Sequence, residues 1–175
     1  MTKILAPAAV AALLALSAAA ASAEPAAVTV TFGPELREKV AALGERDLAQ
    51  QADHLARAVT RTLDRSGALD GARIDLVLTD LKPNRPTFQQ IARQPGLDPI
   101  RSISIGGAAI EGQITTADGR IIPVSYDWYS TSLADVHGLS TWSDAERAYR
   151  RLATNLAEGR YGRRWSSLAR LTAAS

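Results

Sequence analysis

The sequence predicts a two-layer α+β fold, in which a four-stranded, mostly antiparallel sheet carries two helices on one face in the order β-α-β-β-β-α. Three observations lead to this prediction. Several short runs alternate apolar and polar residues, which indicates half-buried strands. One long segment has apolar residues at helical spacing, and two alternating runs flank a glycine turn. Such a sheet leaves its second face open to solvent or to a ligand.

The first strand and the first long helix follow each other closely. Residues 28–32 alternate Val or Phe with Thr, which predicts a short strand. From Leu48 to Leu63, apolar residues recur at spacings of four, three, four and four, as on one face of a helix. Gly67 supplies a stop signal after this helix. A shorter helical segment, Glu35 to Leu43, comes before it and is broken at Gly44.

A second strand leads into a proline-rich connection. Apolar and polar residues alternate from Ile74 to Leu81, which predicts a strand. Residues 82–99 then contain four prolines, with one or two helical turns at most after Pro86. A long basic connection of this kind is often a binding loop, with a plain connector as the alternative. We therefore regard Arg85 and Arg93 as candidate binding residues.

Residues 102–130 predict a hairpin whose turn length follows from parity. Apolar residues stand at odd positions before residues 106–109 (Ile103 and Ile105) and at even positions after them (Ile110 and Ile114). This change of alternation predicts a glycine β-bulge at residues 106–109. A two-residue turn would put apolar residues on both faces of the hairpin. A three-residue turn with Gly119 in the left-handed conformation gives one apolar face. This turn pairs Ile114 with Ile122, Gly112 with Val124, Ile110 with Tyr126 and Ala108 with Trp128.

The last predicted helix begins at Ser143. Ser143 and Glu146 have the spacing of a capping box, and the apolar residues that follow lie on one helical face up to Leu156. Gly159 ends the helix. We expect residues 24–160 to form a single α+β domain, followed by a basic C-terminal tail at residues 161–175.

The first 23 residues have the pattern of a secretory signal peptide. Lys3 supplies a positive charge, a short apolar run follows, and residues 21–23 form a small-x-small cleavage site. The alternative is a signal anchor, because residues 4–23 carry no charge. Cleavage near Ala23 predicts a periplasmic or secreted protein. The chain has no cysteine, so disulfides, thiol catalysis and attachment through an N-terminal lipidated cysteine are all excluded.

Charge is distributed unevenly along the chain. Residues 24–146 have 12 basic and 17 acidic side chains, whereas residues 147–175 have seven arginines against Glu158 alone. Basic amphipathic segments bind anionic lipid, so the tail is a candidate for membrane contact, with a solvated tail as the alternative. We expect Arg160, Arg163, Arg164 and Trp165 to make that contact. No motif typical of nucleic-acid binding accompanies the arginines, so no nucleic-acid partner is expected.

Familiar catalytic motifs are absent from the sequence. It lacks the nucleophile-elbow serine, the Walker phosphate loop, the dinucleotide fingerprint and the metalloprotease helix motif. Asp135 and His137 supply two potential metal ligands without a third, so no metal and no cofactor are expected. Glu111 and Asp127 are predicted diagonal neighbours on the open sheet face, where a carboxylate pair would suit hydrolysis of a glycoside. A solvated charged face is the alternative, and no catalytic residue is assigned.

An aromatic cluster near the end of the hairpin is the remaining candidate site. Tyr126 and Trp128 are expected to point into the core, because the small Ala108 lies opposite the indole. Tyr129 and Trp142 are expected to be exposed. Together with Asp127 and His137, these two aromatic side chains predict a patch for a ligand or partner at the end of the sheet.

Four segments carry a resemblance to known proteins. They are residues 80–87 (DLKPNRPT), 104–110 (SIGGAAI), 126–129 (YDWY) and 141–147 (TWSDAER). In these segments the chain resembles a set of small exported proteobacterial proteins of unknown function, so the resemblance implies no activity. The order of the elements is also similar to that of periplasmic lipoproteins that assist lipopolysaccharide assembly. That similarity is architectural only and implies nothing about function.

These observations favour a periplasmic protein that works by binding and not by catalysis. The expected partner is a protein or another component of the cell envelope, contacted through the proline-rich loop and the aromatic patch. Two alternatives stay open, namely peripheral attachment to an anionic membrane through the basic tail and a hydrolase that acts in the envelope. The sequence does not indicate an oligomeric state.

Overall fold

The chain folds into a two-layer α+β structure with one four-stranded sheet, as the sequence predicts. The computed structural model describes residues 26–136 and 140–162. The strands are β1 (Ala27–Phe32), β2 (Arg73–Lys82), β3 (Gly107–Thr115) and β4 (Ile121–Tyr129). The helices are α1 (Pro34–Glu38), α2 (Val40–Leu43), α3 (Glu45–Ser66), α4 (Phe88–Arg93) and α5 (Ser143–Ala157), and a short 3-10 turn spans Leu133–Asp135.

The sheet is mixed and has the order β1-β2-β3-β4. Strands β1 and β2 are parallel, whereas β2 pairs with β3 and β3 with β4 in antiparallel fashion. A parallel pair needs a long crossover connection, and the helices from Pro34 to Ser66 provide it. The parallel pair is therefore the one departure from an antiparallel arrangement.

Helices α3 and α5 build the core by packing on the same sheet face. The predicted α3 stripe is confirmed, since Leu48, Leu55, Val59 and Leu63 are buried and its fifth member, Ala52, is half-buried. Helix α3 ends as predicted, because Gly67 adopts a left-handed φ of 63° and its N–H donates to Leu63 O. Burial of each such side chain stabilises the fold by about 1.5–3 kcal/mol, so this stripe anchors the helix layer.

The hairpin has the register that the three-residue turn predicts. Ile114 lies opposite Ile122, and Gly112 lies opposite Val124. Gly119 has a φ of 83° in the turn, as expected. Gly112 also has no room for a side chain, because a Cβ atom there would lie 2.2 Å from the carbonyl oxygen of Asp75. Parity alone therefore fixes which hairpin residues face the helices.

The β-bulge predicted at residues 106–109 is wrong. The β3–β4 register runs without interruption from Gly107, and the irregularity lies in β2, between Leu78 and Asp80. The additional residue, Thr79, lets both Leu78 and Leu81 point into the core while Asp80 faces the open side. The apolar residues at odd positions before the glycines, Ile103 and Ile105, are exposed and precede β3, so they do not mark a second buried phase of that strand.

The capping box predicted at Ser143 and Glu146 is also wrong. A capping box requires Ser143 to be the N-cap, but the N-cap of α5 is the preceding residue, Trp142. Accordingly, Glu146 N donates to Trp142 O of the backbone. The hydroxyl of Ser143 donates instead to Asn84 Oδ1, at 3.1 Å. A complete capping box occurs at α4, between Thr87 and Gln90.

The outer edge of β4 is covered by the chain after α5. The backbone N–H of Ser125 points away from β3 and donates to Tyr161 O at 3.1 Å. Pro123, two residues earlier on the strand, has the same backbone orientation and no N–H to offer. Two neighbouring outward positions of this edge, Pro123 and Ser125, therefore offer no free backbone donor.

Candidate functional site

A buried polar cluster holds together the loops at one end of the sheet. Asn84 and Asp144 are both fully buried. Asn84 Nδ2 donates to Asp144 Oδ2 at 2.5 Å and to Ser104 O at 3.2 Å, while Asn84 Oδ1 accepts from Asp144 N at 2.9 Å. The hydroxyl of Ser130 also donates to Asp144 Oδ2. The second carboxylate oxygen, Asp144 Oδ1, makes no hydrogen bond with the residues that the structure describes, and Arg147 Nη1 lies 3.9 Å from it. The hydrogen bonds that Asn84 and Asp144 do make join the loops in one arrangement.

Backbone bonds extend the cluster into the surrounding segments. Asn84 N donates to Thr141 O at 2.7 Å, and Ser104 N donates to Asn84 O at 2.9 Å. At Gly106, a Cβ atom would lie 2.6 Å from the Asn84 side chain, so only glycine fits without displacing it. Three of the four segments that carry the resemblance, residues 80–87, 104–110 and 141–147, thus meet at Asn84. Their shared location gives them a structural role in ordering the loops.

Arg85 is not a surface contact residue, and its prediction as one is wrong. Its side chain is buried, and the guanidinium donates to the carbonyl oxygen of Ile100 on the far side of the same loop. Asp98 Oδ1 accepts from Ile100 N and Arg101 N, at 2.7 Å each. These bonds hold the connection between β2 and β3 in a defined shape, because they link its two halves.

The surface of this connection is apolar as well as basic. Phe88 is 82% exposed and Ile100 is 71% exposed, and Ile103 and Ile105 are also exposed. Arg93, a candidate binding residue, lies on α4 and is exposed. We call the exposed side chains of residues 83–106 the loop platform. Sequence reasoning missed its apolar members, although large apolar residues in a segment with so many prolines have few partners in a core.

Trp142 is buried, so the prediction that it lies exposed beside Tyr129 is wrong. The indole belongs to the hydrophobic core, and its Nε1 donates to Asp47 Oδ1 at 3.3 Å. Asp47 lies in the first turn of α3 and Trp142 is the N-cap of α5, so this bond joins the starts of the two helices. The patch expected from two exposed aromatic side chains therefore does not form.

Tyr129 is half-buried and belongs to a charged cluster centred on Asp80. Its hydroxyl donates to Asp80 Oδ2 at 2.7 Å, and Lys39 Nζ lies 2.7 Å from Asp80 Oδ1. Lys82 Nζ lies 4.9 Å from the centre of the Tyr129 ring. Burial raises the pKa of Asp80, but the bonds from Lys39 and Tyr129 outweigh it and leave that pKa below its usual value. Burial and the Asp80 carboxylate raise the pKa of Tyr129 well above its ordinary value.

The carboxylates of the open sheet face lie as the register predicts. Asp127 is opposite Ala109 and Glu111 is opposite Ser125, so the two acidic residues are diagonal neighbours. They line a shallow cleft of about 350 Å³ together with Thr79 and Ser125. This arrangement gives a polar surface with hydroxyl and carboxylate groups.

Part of the predicted membrane contact falls within the structure. Arg160 is exposed, and its guanidinium donates to Asn155 Oδ1 at 2.7 and 3.1 Å and pairs with Glu158. The other predicted contacts, Arg163, Arg164 and Trp165, lie outside the described residues, as does His137.

None of the helices in residues 26–136 and 140–162 has the length and apolar character needed to cross a membrane. In the same residues, no three His, Asp or Glu side chains are grouped as a metal site would require.

Comparisons with known proteins give no relative. No model of a known protein family matches the chain, and no curated protein matches it either. The resemblance to exported proteobacterial proteins therefore stays a prediction.

Proposed function

We propose that this protein is a non-enzymatic accessory protein of the periplasm that docks a protein component of the cell envelope on its loop platform. One observation carries the proposal: large apolar side chains, led by Phe88 and Ile100, are exposed on a connection that internal hydrogen bonds hold in shape. Exposed apolar side chains that are already ordered lose little further entropy on binding. They therefore suit a protein interface.

The chemistry of the platform fits a protein surface. An aromatic ring and branched aliphatic side chains provide apolar anchors, and Arg93 provides a polar group at their margin. Interfaces between proteins commonly combine an apolar centre with a polar rim and are enriched in aromatic residues and arginine. The periplasmic location rests on the signal-peptide pattern of residues 1–23 in the sequence.

The test is crosslinking in intact envelopes, followed by mass spectrometry of what is captured. A variant with Phe88→Ser, Ile100→Ser and Ile103→Ser removes three apolar side chains of the platform without touching the core. Its matched control is Ile121→Ser with Leu133→Ser, which removes exposed apolar side chains elsewhere on the surface. We expect the platform variant to lose at least about tenfold of the captured partner, because hot-spot residues contribute about 2 kcal/mol or more each.

The outcomes distinguish the alternatives. Retained capture by the control variant and loss in the platform variant support the proposal. Equal capture by both variants overturns the platform as the docking surface. Recovery of lipid without any protein partner overturns the proposal in favour of membrane attachment.

A further inference from the structure

A second surface lies on the helix layer, in a groove between α3 and α5. The groove has a volume of about 480 Å³. Its lining includes four arginines, and we call this set the arginine groove: Arg57, Arg61 and Arg65 on α3 and Arg150 on α5. None of these residues belongs to the loop platform, so the two surfaces are separate.

The arginine groove concentrates positive charge at a cost to the fold. Arg57, Arg61 and Arg65 are spaced four residues apart, so their charges lie side by side on one helix face. Like charges at this spacing destabilise a helix. Within the groove lining, Glu146 is the one carboxylate, and it lies 3.5 Å from Nδ1 of His54. The lining therefore carries a clear excess of positive charge.

Several arginines of these two helices have partners within the chain. In the groove itself, Arg57 Nη1 lies 4.0 Å from Asp53 Oδ2, and Arg65 Nε donates to Arg61 O at 2.9 Å. Arg147 and Arg151 stand over the ring of Trp128, at 5.5 and 4.6 Å from its centre. By contrast, the guanidinium groups of Arg61 and Arg150 make no hydrogen bond or ion pair with any residue that the structure describes. These two groups are available to a ligand.

The lining of the arginine groove includes a buried tyrosine whose hydroxyl group has no hydrogen-bond partner among the described residues. Tyr149 lines the groove and is only 1% exposed. Its hydroxyl oxygen has no hydrogen-bond partner within residues 26–136 and 140–162. Burial, together with the nearby Glu146 carboxylate, raises the pKa of this phenol, so it stays protonated and able to donate. A buried hydroxyl without a partner is costly unless something else satisfies it.

We propose that the arginine groove is a binding site for a phosphate-bearing anion. Guanidinium groups present a planar fork of donors that matches phosphate oxygens in pairs, which an ammonium group does not. Arg61 and Arg150 present their guanidinium groups from two different helices, and Tyr149 adds a neutral hydroxyl donor to the lining. The bound charge would also relieve the repulsion between the neighbouring arginines of α3.

The phosphate can belong to a free phosphomonoester or to a lipid headgroup, and the experiment separates these sources. Calorimetry with the chain purified from the periplasm would use inorganic phosphate and glycerol 3-phosphate. Sedimentation would use phosphatidylcholine vesicles with and without phosphatidic acid. The groove variant is Arg57→Gln, Arg61→Gln and Arg150→Gln. Its matched control, with the same change of charge on other exposed arginines, is Arg46→Gln, Arg93→Gln and Arg101→Gln.

We expect the groove variant to weaken phosphate binding by at least roughly tenfold, since each charge-assisted bond is about twice as strong as a neutral one. We expect the control to change binding less than about threefold, through long-range charge alone. Tyr149→Phe leaves the net charge unchanged, so a weaker affinity in this variant marks a built site and not a diffuse basic surface.

Each outcome decides the proposal. Loss of both free-anion and vesicle binding in the groove variant supports a site that accepts a lipid headgroup. Loss of free-anion binding without any vesicle binding supports a site for a small phosphomonoester. Equal loss in the groove and control variants overturns the proposal, as does the absence of saturable binding to any probe. Vesicle binding that survives the groove substitutions, without free-anion binding, also overturns it and points to the basic tail.

Discussion

Replacement of Asn84 by alanine is the most direct test of how the loop platform is held. The side chain of Asn84 makes four hydrogen bonds, two as donor through Nδ2 and two as acceptor through Oδ1. Each such bond contributes about 1 kcal/mol net, so Asn84→Ala should lower the free energy of unfolding by about 4 kcal/mol. This is a large share of the roughly 5–15 kcal/mol by which a domain is stable.

The loss is measurable as a fall in Tm of about 10–15 °C, given the size of the domain. Limited digestion with trypsin adds a local readout, because Arg93 and Arg101 lie exposed in the connection that Asn84 anchors. Cleavage there should become faster at temperatures well below the Tm. The control is Gln94→Ala, an exposed residue in the same connection, which should change stability by less than about 0.5 kcal/mol. Equal stability and equal cleavage in the two variants would refute the role of Asn84.

Three further predictions concern other parts of the fold. Gly112→Ala should destabilise the sheet by about 3 kcal/mol in a denaturant titration, because its Cβ atom would meet the β2 backbone. Asp80→Asn should lower the free energy of unfolding by about 1 kcal/mol near neutral pH. The loss is no larger because Lys39, the ion-pair partner of Asp80, is exposed to solvent, which weakens the pair. The folded-state pKa of Asp80 is lowered, so its contribution is present above the unfolded pKa of about 3.9 and is lost as pH falls through the folded pKa. Tyr149→Phe should leave thermal stability unchanged or raise it by up to about 1 kcal/mol, because it removes a buried hydroxyl without a partner.

Each of these has its own control. Gly162→Ala should be neutral, since a Cβ atom there has open space, and a similar cost at both glycines would contradict the steric argument. In the Asp80→Asn variant, the pKa of Tyr129 should fall toward its ordinary value. The titration of Tyr129 is measured by ultraviolet absorbance at alkaline pH. An unchanged Tyr129 titration would be inconsistent with the contact. A lower Tm for Tyr149→Phe in phosphate-free buffer would show that the hydroxyl already has a partner.

The periodic parts of the fold could be predicted from the sequence because burial has a fixed period there. The α3 stripe from Leu48 to Leu63 and the pairing of Gly112 with Val124 follow from spacings of 3.6 and 2 residues. The sequence predicts a bulge near Gly106 because Ile103 and Ile105 alternate like the buried residues of a strand. Both side chains are exposed and lie before β3, and the register shift of the sheet lies in β2 instead.

The candidate sites were harder to predict because irregular segments have no period. Arg85 and Trp142 were expected at the surface, yet both are buried by contacts with residues far away in the sequence. The local sequence does not mark Asn84 as a buried residue, because a single asparagine between prolines is typical of a turn. Its partner Asp144 lies 60 residues further along the chain, so the cluster has no local signature.

The covered edge of β4 bears on how copies of this protein behave toward each other. A free sheet edge is a template on which another chain can add a strand, and repeated addition leads to fibrils. Here Pro123 interrupts the row of donors, and the return of the chain at Tyr161 occupies the Ser125 N–H. The short segment after α5 thus occupies one donor of this edge, and a chain cut before Tyr161 would leave the Ser125 N–H open to pairing with a strand of another copy.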